Sequence, residues 1–469
     1  MTMRADVVIV GAGMAGLCAA IAALESGADV LVIEKGTRPG GSMALSHGLI
    51  WTFADKAQLR EEIPDGNDAL QDFIVDELCD AFPWLERQGV RLSEETDFQW
   101  YGSGRRSEPA QMADALTERI SALGGRVHLE TSLQDLETRG GRITGLRAVS
   151  SDSTAIDIEA RAVVLATGGF QGNPELLTRY VTPHAGCLYL RANPWSTGDG
   201  FLAATEAGAA VTPWLDTFYG HALAAPPAQF NQFEFYKVTQ RYGPTAVALN
   251  LRGQRFVDES AGTGEEALNC AMAHEPFASA IYVIDATTAE LRSDGGSIPR
   301  VSIERARECG APIKTAATLT ELAEALYEWG VPPAAALRTL EDYNAAVAAG
   351  EAQLLDPPRR KNPLPLRDAP FTAVRVRSAI TFTCGGLQVD MDMRVLRRAA
   401  TISTLPLVTV ATQDVLYAAF DNLYAAGCDI GGVHNIGYMG GLATALVTGW
   451  TAGRSAVAAS SRATVSPRS

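Results

Sequence analysis

DVVIVGAGMAGLCAAIAALESGADVLVIEKG, residues 6–36, decides the fold. Its first five residues are apolar and mostly β-branched, and Gly11 ends them. Such a run reads as a buried strand. MAGLCAAIAALES, residues 14–26, is rich in Ala and Leu and reads as a helix stopped at Gly27. DVLVI, residues 29–33, is a second buried strand. Two strands joined through a helix form a parallel pair with a right-handed crossover. Between strand and helix stands GAGMAG. Gly11 permits the tight turn, Gly13 lets a pyrophosphate approach the backbone, and Gly16 lets helix and sheet pack closely. The start of the helix offers free N–H groups and a positive dipole end to the phosphates. Glu34 ends the second strand, where a carboxylate accepts from ribose hydroxyls and repels a 2′-phosphate. The stretch is a dinucleotide-binding unit.

Outward from it, the chain has 469 residues, enough for two or three domains. Nearly half of them are apolar and a fifth are charged, which is a globular composition. A formal net charge of −15 opposes binding to phosphate backbones, so no nucleic-acid partner is expected. The seven cysteines are odd in number and form no CxxC pair. That argues against a disulfide framework or a metal ribbon and favours a reducing cytoplasm; no metal site is expected. The N-terminus enters a strand at once, without the pattern of a signal peptide. The most apolar late stretch, residues 442–459, is broken by Thr444, Thr448, Gly449, Thr451, Gly453 and Arg454. It reads as a buried helix, and no transmembrane segment is expected.

Residues 68–92 and 110–123 read as helices. Residues 127–166 alternate around Gly-Gly turns, as a small antiparallel meander leading into a core strand at 162–166. Residues 199–209 form another helix. From about 218 to 372 Pro, Tyr, Asn and polar residues increase, and charged helices appear at 318–329 and 333–349. The fold class is therefore α/β: a Rossmann-type domain in two parts, 1–217 and 373–469, with an inserted α+β capping domain at 218–372.

Further motifs select FAD. A small-residue loop, KGTRPGGSMALSHG, follows Glu34 and suits a flavin pyrophosphate and ribityl chain. VVLATGGF, residues 163–170, sets a strand and a Gly turn beside the first strand. LYAAG, residues 423–427, and GGVHNIGYMGGLATALVTG, residues 431–449, bring a second helix start to the cofactor. A helix N-terminus stabilises negative charge on a reduced flavin.

With these motifs the chain resembles the fumarate reductase and succinate dehydrogenase flavoprotein superfamily, which includes 3-ketosteroid and tricarballylate dehydrogenases. The resemblance covers almost the whole chain. It also rests on STGDG at 196–200, RGQRFVDES at 252–260 and TFTCGGLQVD at 381–390. It implies a substrate held between the two domains and hydride exchange with the flavin at a C–C or C=C bond next to a carbonyl or carboxylate. The implied cofactor contacts are Gly11, Gly13, Met14, Ala15, Gly16, Glu34 and Lys35, then Gly40, Gly41 and Ser42. Ala166, Thr167, Gly168 and Asp199 follow, and Gly427, Asp429, Gly441, Ala443 and Thr444 complete the set. FAD is expected to be non-covalent, because the register of His47 does not match the histidine that bonds to flavin in succinate dehydrogenases.

Three positions depart from the fumarate pattern. Tyr438, Phe382 and Thr263 stand where fumarate-reducing members have Arg, His and a proton-donating Arg. A dicarboxylate calls for bidentate arginines, so a ketone substrate is favoured. Ketosteroid dehydrogenases carry a Tyr at the place of Tyr438, where its hydroxyl donates to the substrate ketone. The general base stays open among His221, Tyr219, Tyr236, Tyr242 and His434. Arg241 reads either as a carboxylate contact or as a surface ion pair, and Trp100 and Tyr101 as pocket wall or core. Two alternatives accompany the ketone function: a polycarboxylate dehydrogenase, and a flavin-binding subunit without turnover. The electron acceptor is not legible.

Overall fold

The structure is a computed structural model that describes residues 2–98, 101–262, 264–292, 298–398 and 417–462. Among the described residues its main sheet has eight strands. Thr2–Val10 lies near the centre, with Val30–Ile33 and Ala155–Leu165 as parallel neighbours on either side. Arg126–His128 extends one edge; Tyr417–Ala425 and then Arg394–Arg398 extend the other. Val7, Val8 and Ile9 have no exposed surface, because helices cover both faces of a parallel sheet.

Ala155–Leu165 shows how local pattern follows environment. Its first half alternates buried and exposed residues, where it pairs antiparallel with Arg142–Ser150. Its last four residues are buried without break, where it enters the parallel sheet between Thr2–Val10 and Tyr417–Ala425. The last strand of the meander and the core strand read from the sequence are thus one element.

The helix Gly441–Arg462 crosses Met14–Glu25 with almost no space between backbones. A Cβ at Gly449 would stand 2.3 Å from the Ala15 carbonyl oxygen, and one at Gly453 would stand 2.2 Å from that of Ala19. Glycine costs about 1 kcal/mol in a helix interior. Here that cost is offset by contact between two helices whose N-termini both face the same cavity. None of the described helices is long and apolar enough to cross a membrane.

A second sheet has five strands among the described residues, with Phe371–Arg377 at its centre. Ser279–Ile284 and Val247–Leu249 extend one side, while Leu223–Ala224 and Ile313–Ala316 share the other. Leu322 and Leu340, from the two charged helices, pack into its core beside Ile281 and Val283. The sequence closes this block at 372, but the central strand runs on to Arg377. No composition change marks that point, since both sides of it are strand.

Two short ribbons stitch the sheets together. Tyr189–Leu190 pairs with Ala379–Ile380, and Phe218–Tyr219 pairs with Phe382–Thr383. They carry Arg191, Tyr219, Thr381 and Phe382 to the junction between the two sheets.

Candidate functional site

A cavity of about 410 Å³ runs from the Gly11 turn to this junction. At the sheet end, Gly11 has φ +104°, and a Cβ there would lie 2.2 Å from the Ala166 carbonyl oxygen. Gly13 precedes the Met14–Glu25 helix and has no side-chain cap. A Cβ on Gly13 would meet nothing within 4 Å. That open space above uncapped helix N–H groups is the room a pyrophosphate requires. Glu34 faces the same cavity and accepts from Ala12 N–H and Gly36 N–H, each at 2.7 Å. Thr131, Ser132, Leu133 and Trp195 line the cavity as well. They lie outside any glycine motif, so no sequence signal singled them out.

Of the expected cofactor contacts, Gly11, Gly13, Met14, Ala15, Glu34, Lys35, Gly41, Ser42, Ala166, Thr167, Gly168, Asp199, Gly427 and Gly441 line the cavity. Lys35 and Asp199 also bind one another at 3.0 Å, so their charges are already balanced. Gly16, Gly40, Asp429, Ala443 and Thr444 are not in the lining. They build the cradle from behind. Gly16 would place a Cβ 1.9 Å from the Gly11 carbonyl oxygen. Gly40 donates to the Ala12 carbonyl at 2.8 Å. Thr444 donates to the Gly440 carbonyl at 3.0 Å. Asp429 accepts from the Thr167 hydroxyl at 2.8 Å, from Gly169 N–H at 2.9 Å and from Thr167 N–H. Burial raises its pKa and these donors offset the rise, so Asp429 locks the ATGG turn.

The junction end is aromatic. Tyr438 stacks on Tyr219 with ring centroids 3.9 Å apart and planes 14° apart. Phe382, Trp51, Phe98 and Phe235 complete the walls. The Tyr438 hydroxyl oxygen accepts from Gly441 N–H at 2.9 Å, at the start of the last helix. Its own proton is therefore directed elsewhere. Burial, then the neighbouring Tyr219, pushes the phenol far above its usual range, so it stays protonated.

Tyr219 is the first member of a buried chain. Its hydroxyl is 3.0 Å from His221 Nε2, and His221 Nδ1 is 2.7 Å from Glu265 Oε1. Burial raises Tyr219 to about 12, against the pull of Arg241 and Arg191. Burial also holds His221 well below the usual imidazole range and Glu265 well above the usual carboxylate range. Burial thus disfavours charge on both partners of this contact.

Arg191 and Arg241 face the cavity beside these groups. Arg191 donates to the Thr381 hydroxyl at 2.6 Å and lies 4.6 Å from the centre of the Phe235 ring. Burial lowers it to about 10, and it remains a cation at neutral pH. Neither arginine forms an ion pair among the described residues. Arg241 is therefore no surface salt bridge. Nothing around LRANPWSTGDG marks Arg191 in the sequence, because its burial depends on the two ribbons. His47 also lines the cavity; burial first, then Arg241, Arg191 and Arg106, lowers its pKa.

Other candidates lie elsewhere. Tyr236 is 50% exposed on the turn Gln232–Lys237 and does not line the cavity; Phe235 beside it turns inward instead. Tyr236 is thus corrected from catalytic residue to surface residue. His434 is buried behind Tyr438, accepts from Met439 N–H at 3.3 Å and is lowered to about 3 by burial. It is absent from the lining and supports Tyr438 by packing. Tyr242 is buried in the core of the second sheet. Tyr101 stacks on Phe53 at 4.9 Å, in the core. Trp100 and Thr263 lie outside the described residues. Among the described residues no group of three or more His, Cys, Asp and Glu could hold a metal ion.

Comparison with known proteins agrees with this geometry. Residues 6–443 match the FAD binding domain family. NADH:fumarate oxidoreductase of Klebsiella pneumoniae (strain 342) is 28% identical, over 96% of this chain and 47% of that protein. 4-Oxocyclohexanecarboxylate 2-dehydrogenase of Sinomonas cyclohexanicum is 24% identical, over 93% of this chain and 92% of that protein. The solved 3-ketosteroid delta1-dehydrogenase of Sterolibacterium denitrificans superposes with a TM-score of 0.71 at 18% identity, over 98% of this chain and all of that one. This chain spans about half the length of the Klebsiella relative. The chain belongs to the FAD binding domain family, and FAD is its cofactor.

Proposed function

We propose that the chain is an FAD-dependent oxidoreductase acting on a C–C or C=C bond next to a carbonyl, in the direction of dehydrogenation or of ene reduction. The observation that carries this reading is the Tyr438 hydroxyl. It accepts from the N–H at a helix start and keeps its proton for an acceptor in the cavity. A substrate carbonyl oxygen there would be polarised and its enolate stabilised. Tyr219, stacked against Tyr438, is placed to exchange the proton of the α-carbon. The aromatic walls keep water from the reacting atoms. FAD, when bound, accepts or supplies the hydride.

A second observation refines the substrate. Arg191 and Arg241 place unpaired positive charge in the cavity of a protein of net charge −15. Local fields of this kind draw anions. A cyclic keto acid or its enone engages both ends, and the name of the Sinomonas relative describes such a molecule. A polycarboxylate engages the arginines but gives Tyr438 no ketone.

Anaerobic spectrophotometry separates these readings. Cyclohexanone, 4-oxocyclohexanecarboxylate and tricarballylate are tested for bleaching of the oxidised flavin. Cyclohex-2-enone and fumarate are tested for reoxidation of the reduced flavin. Response to ketones or enones supports the first reading, and response to tricarballylate or fumarate alone supports the polycarboxylate. No response from any compound leaves a flavin-binding subunit without turnover. Arg241→Met should raise KM for a carboxylate substrate tenfold or more, since a charged hydrogen bond contributes about 1.5–3 kcal/mol. The neutral ketone should change less than about twofold; equal losses for both would remove the anion-binding role. FAD should be released into the supernatant on acid precipitation. Flavin remaining with the precipitated chain would place a covalent bond at the cavity, with His47 the residue to map.

A further inference from the structure

Glu265 has no place in the chemistry described so far, yet it is almost fully buried and joined to the cavity through two other groups. Its carboxyl is 2.7 Å from His221 Nδ1, and His221 Nε2 is 3.0 Å from the Tyr219 hydroxyl that lines the cavity. His221 is 7% exposed and Glu265 2%, so solvent does not interrupt the series. We propose that Glu265 is the proton store of the reaction, exchanging one proton with the substrate α-carbon through His221 and Tyr219. The inference rests on the role given to Tyr219 in the proposed function.

The surroundings favour this assignment. Glu266 adds to the burial of Glu265 in disfavouring negative charge, while Arg241 and Arg191 moderate it from the cavity side. The Tyr242 and Tyr282 phenols interact with Glu265 from the core of the second sheet, and burial keeps both protonated. In the structure Glu265 Oε1 and His221 Nδ1 touch at 2.7 Å without the alignment of a hydrogen bond. Transfer requires a turn of the carboxyl that lets Glu265 O–H donate to Nδ1, while His221 Nε2–H donates to the Tyr219 oxygen and Tyr219 O–H is left for the cavity.

In the reducing direction the substrate carbanion takes the Tyr219 proton. Tyr219 takes the Nε2 proton of His221, and His221 takes the Glu265 proton on Nδ1. One O–H bond breaks at Glu265 and one C–H bond forms on the substrate. One negative charge passes from the substrate enolate to the Glu265 carboxylate. The oxidising direction reverses each transfer and starts from the Glu265 carboxylate. Only a proton moves along this series; the electron pair of the hydride travels separately.

Infrared spectroscopy of the holoenzyme tests the store directly, without a substrate. The wild-type minus Glu265→Gln difference spectrum should contain the carbonyl stretch of a protonated buried carboxyl, shifted in D2O. A difference spectrum with ionised-carboxylate bands instead overturns the proposal. Tyr219→Phe should keep that carboxyl band, because it cuts the series at the cavity end alone. On any panel compound that turns over, Glu265→Gln should lower kcat on the order of 10²-fold, with KM within threefold and FAD retained. A wild-type kcat in Glu265→Gln also overturns the proposal, and loss of FAD with unchanged kcat per flavin would make Glu265 structural. If the carboxyl band is present and no panel compound reacts, the proposed function fails while the buried acid stands.

Discussion

Tyr438→Phe should slow exchange of reducing equivalents between substrate and flavin by on the order of 10²-fold or more, with FAD still in place. The ring packs between Tyr219 and Trp51, and Phe keeps both contacts. What is lost is the hydroxyl and its bond from Gly441 N–H. Removal of a single donor to a developing oxyanion costs about 2.7–4 kcal/mol in activation free energy. The freed N–H adds a stability cost of about 1–3 kcal/mol. Stopped-flow absorbance separates the two effects, because a stability loss changes the thermal midpoint and leaves the rate per bound flavin intact. A Phe variant within about threefold of the wild-type rate would turn the ketone reading toward the polycarboxylate.

Two glycine variants should divide binding from folding at the cofactor end. Gly13→Ala should fold with unchanged apo-protein stability, since its Cβ meets no protein atom within 4 Å and its φ of −80° suits alanine. The same methyl enters the space above the helix start, and FAD affinity should fall by on the order of 10²-fold, or ~3 kcal/mol. Gly16→Ala should behave oppositely. Its Cβ would sit 1.9 Å from the Gly11 carbonyl oxygen, so backbone must move. Overpacking of this kind costs about 1–3 kcal/mol, and more where backbone is the obstacle. Apo-protein denaturation midpoints and flavin fluorescence titration measure both terms. Gly13→Ala with wild-type FAD affinity would displace the pyrophosphate from the Met14 helix start.

The two alanines differ because GAGMAG combines two kinds of necessity. Gly11 and Gly16 are held by packing between backbone segments, whereas a Cβ on Gly13 would meet only open cavity. Spacing reveals the motif, but only the position of Ala166 and the Gly11 carbonyl shows which atom each Cβ would meet. Asp429 gives the same lesson. It follows the LYAAG motif, yet its oxygens are occupied by Thr167 and Gly169, which come from a distant strand end.

From sequence alone came the βαβ unit, Glu34 at the cavity, the returning C-terminal segment and Tyr438. Each is written in local order: apolar runs of strand length, glycines at fixed offsets, one residue beside a helix start. Tertiary structure decided the rest of the site. Tyr219, His221 and Glu265 form a series only because Phe218–Tyr219 pairs with Phe382–Thr383 and a separate segment brings Glu265 beneath them. Arg191 and Arg241 are fifty positions apart and become neighbours in one cavity through the same junction. Tyr236 and Phe235 differ by one position, and the turn alone sends one outward and the other inward. Periodicity carries information along a strand or helix, where geometry repeats. It carries none across the junction of two sheets, where burial and charge are set by whichever distant segments meet.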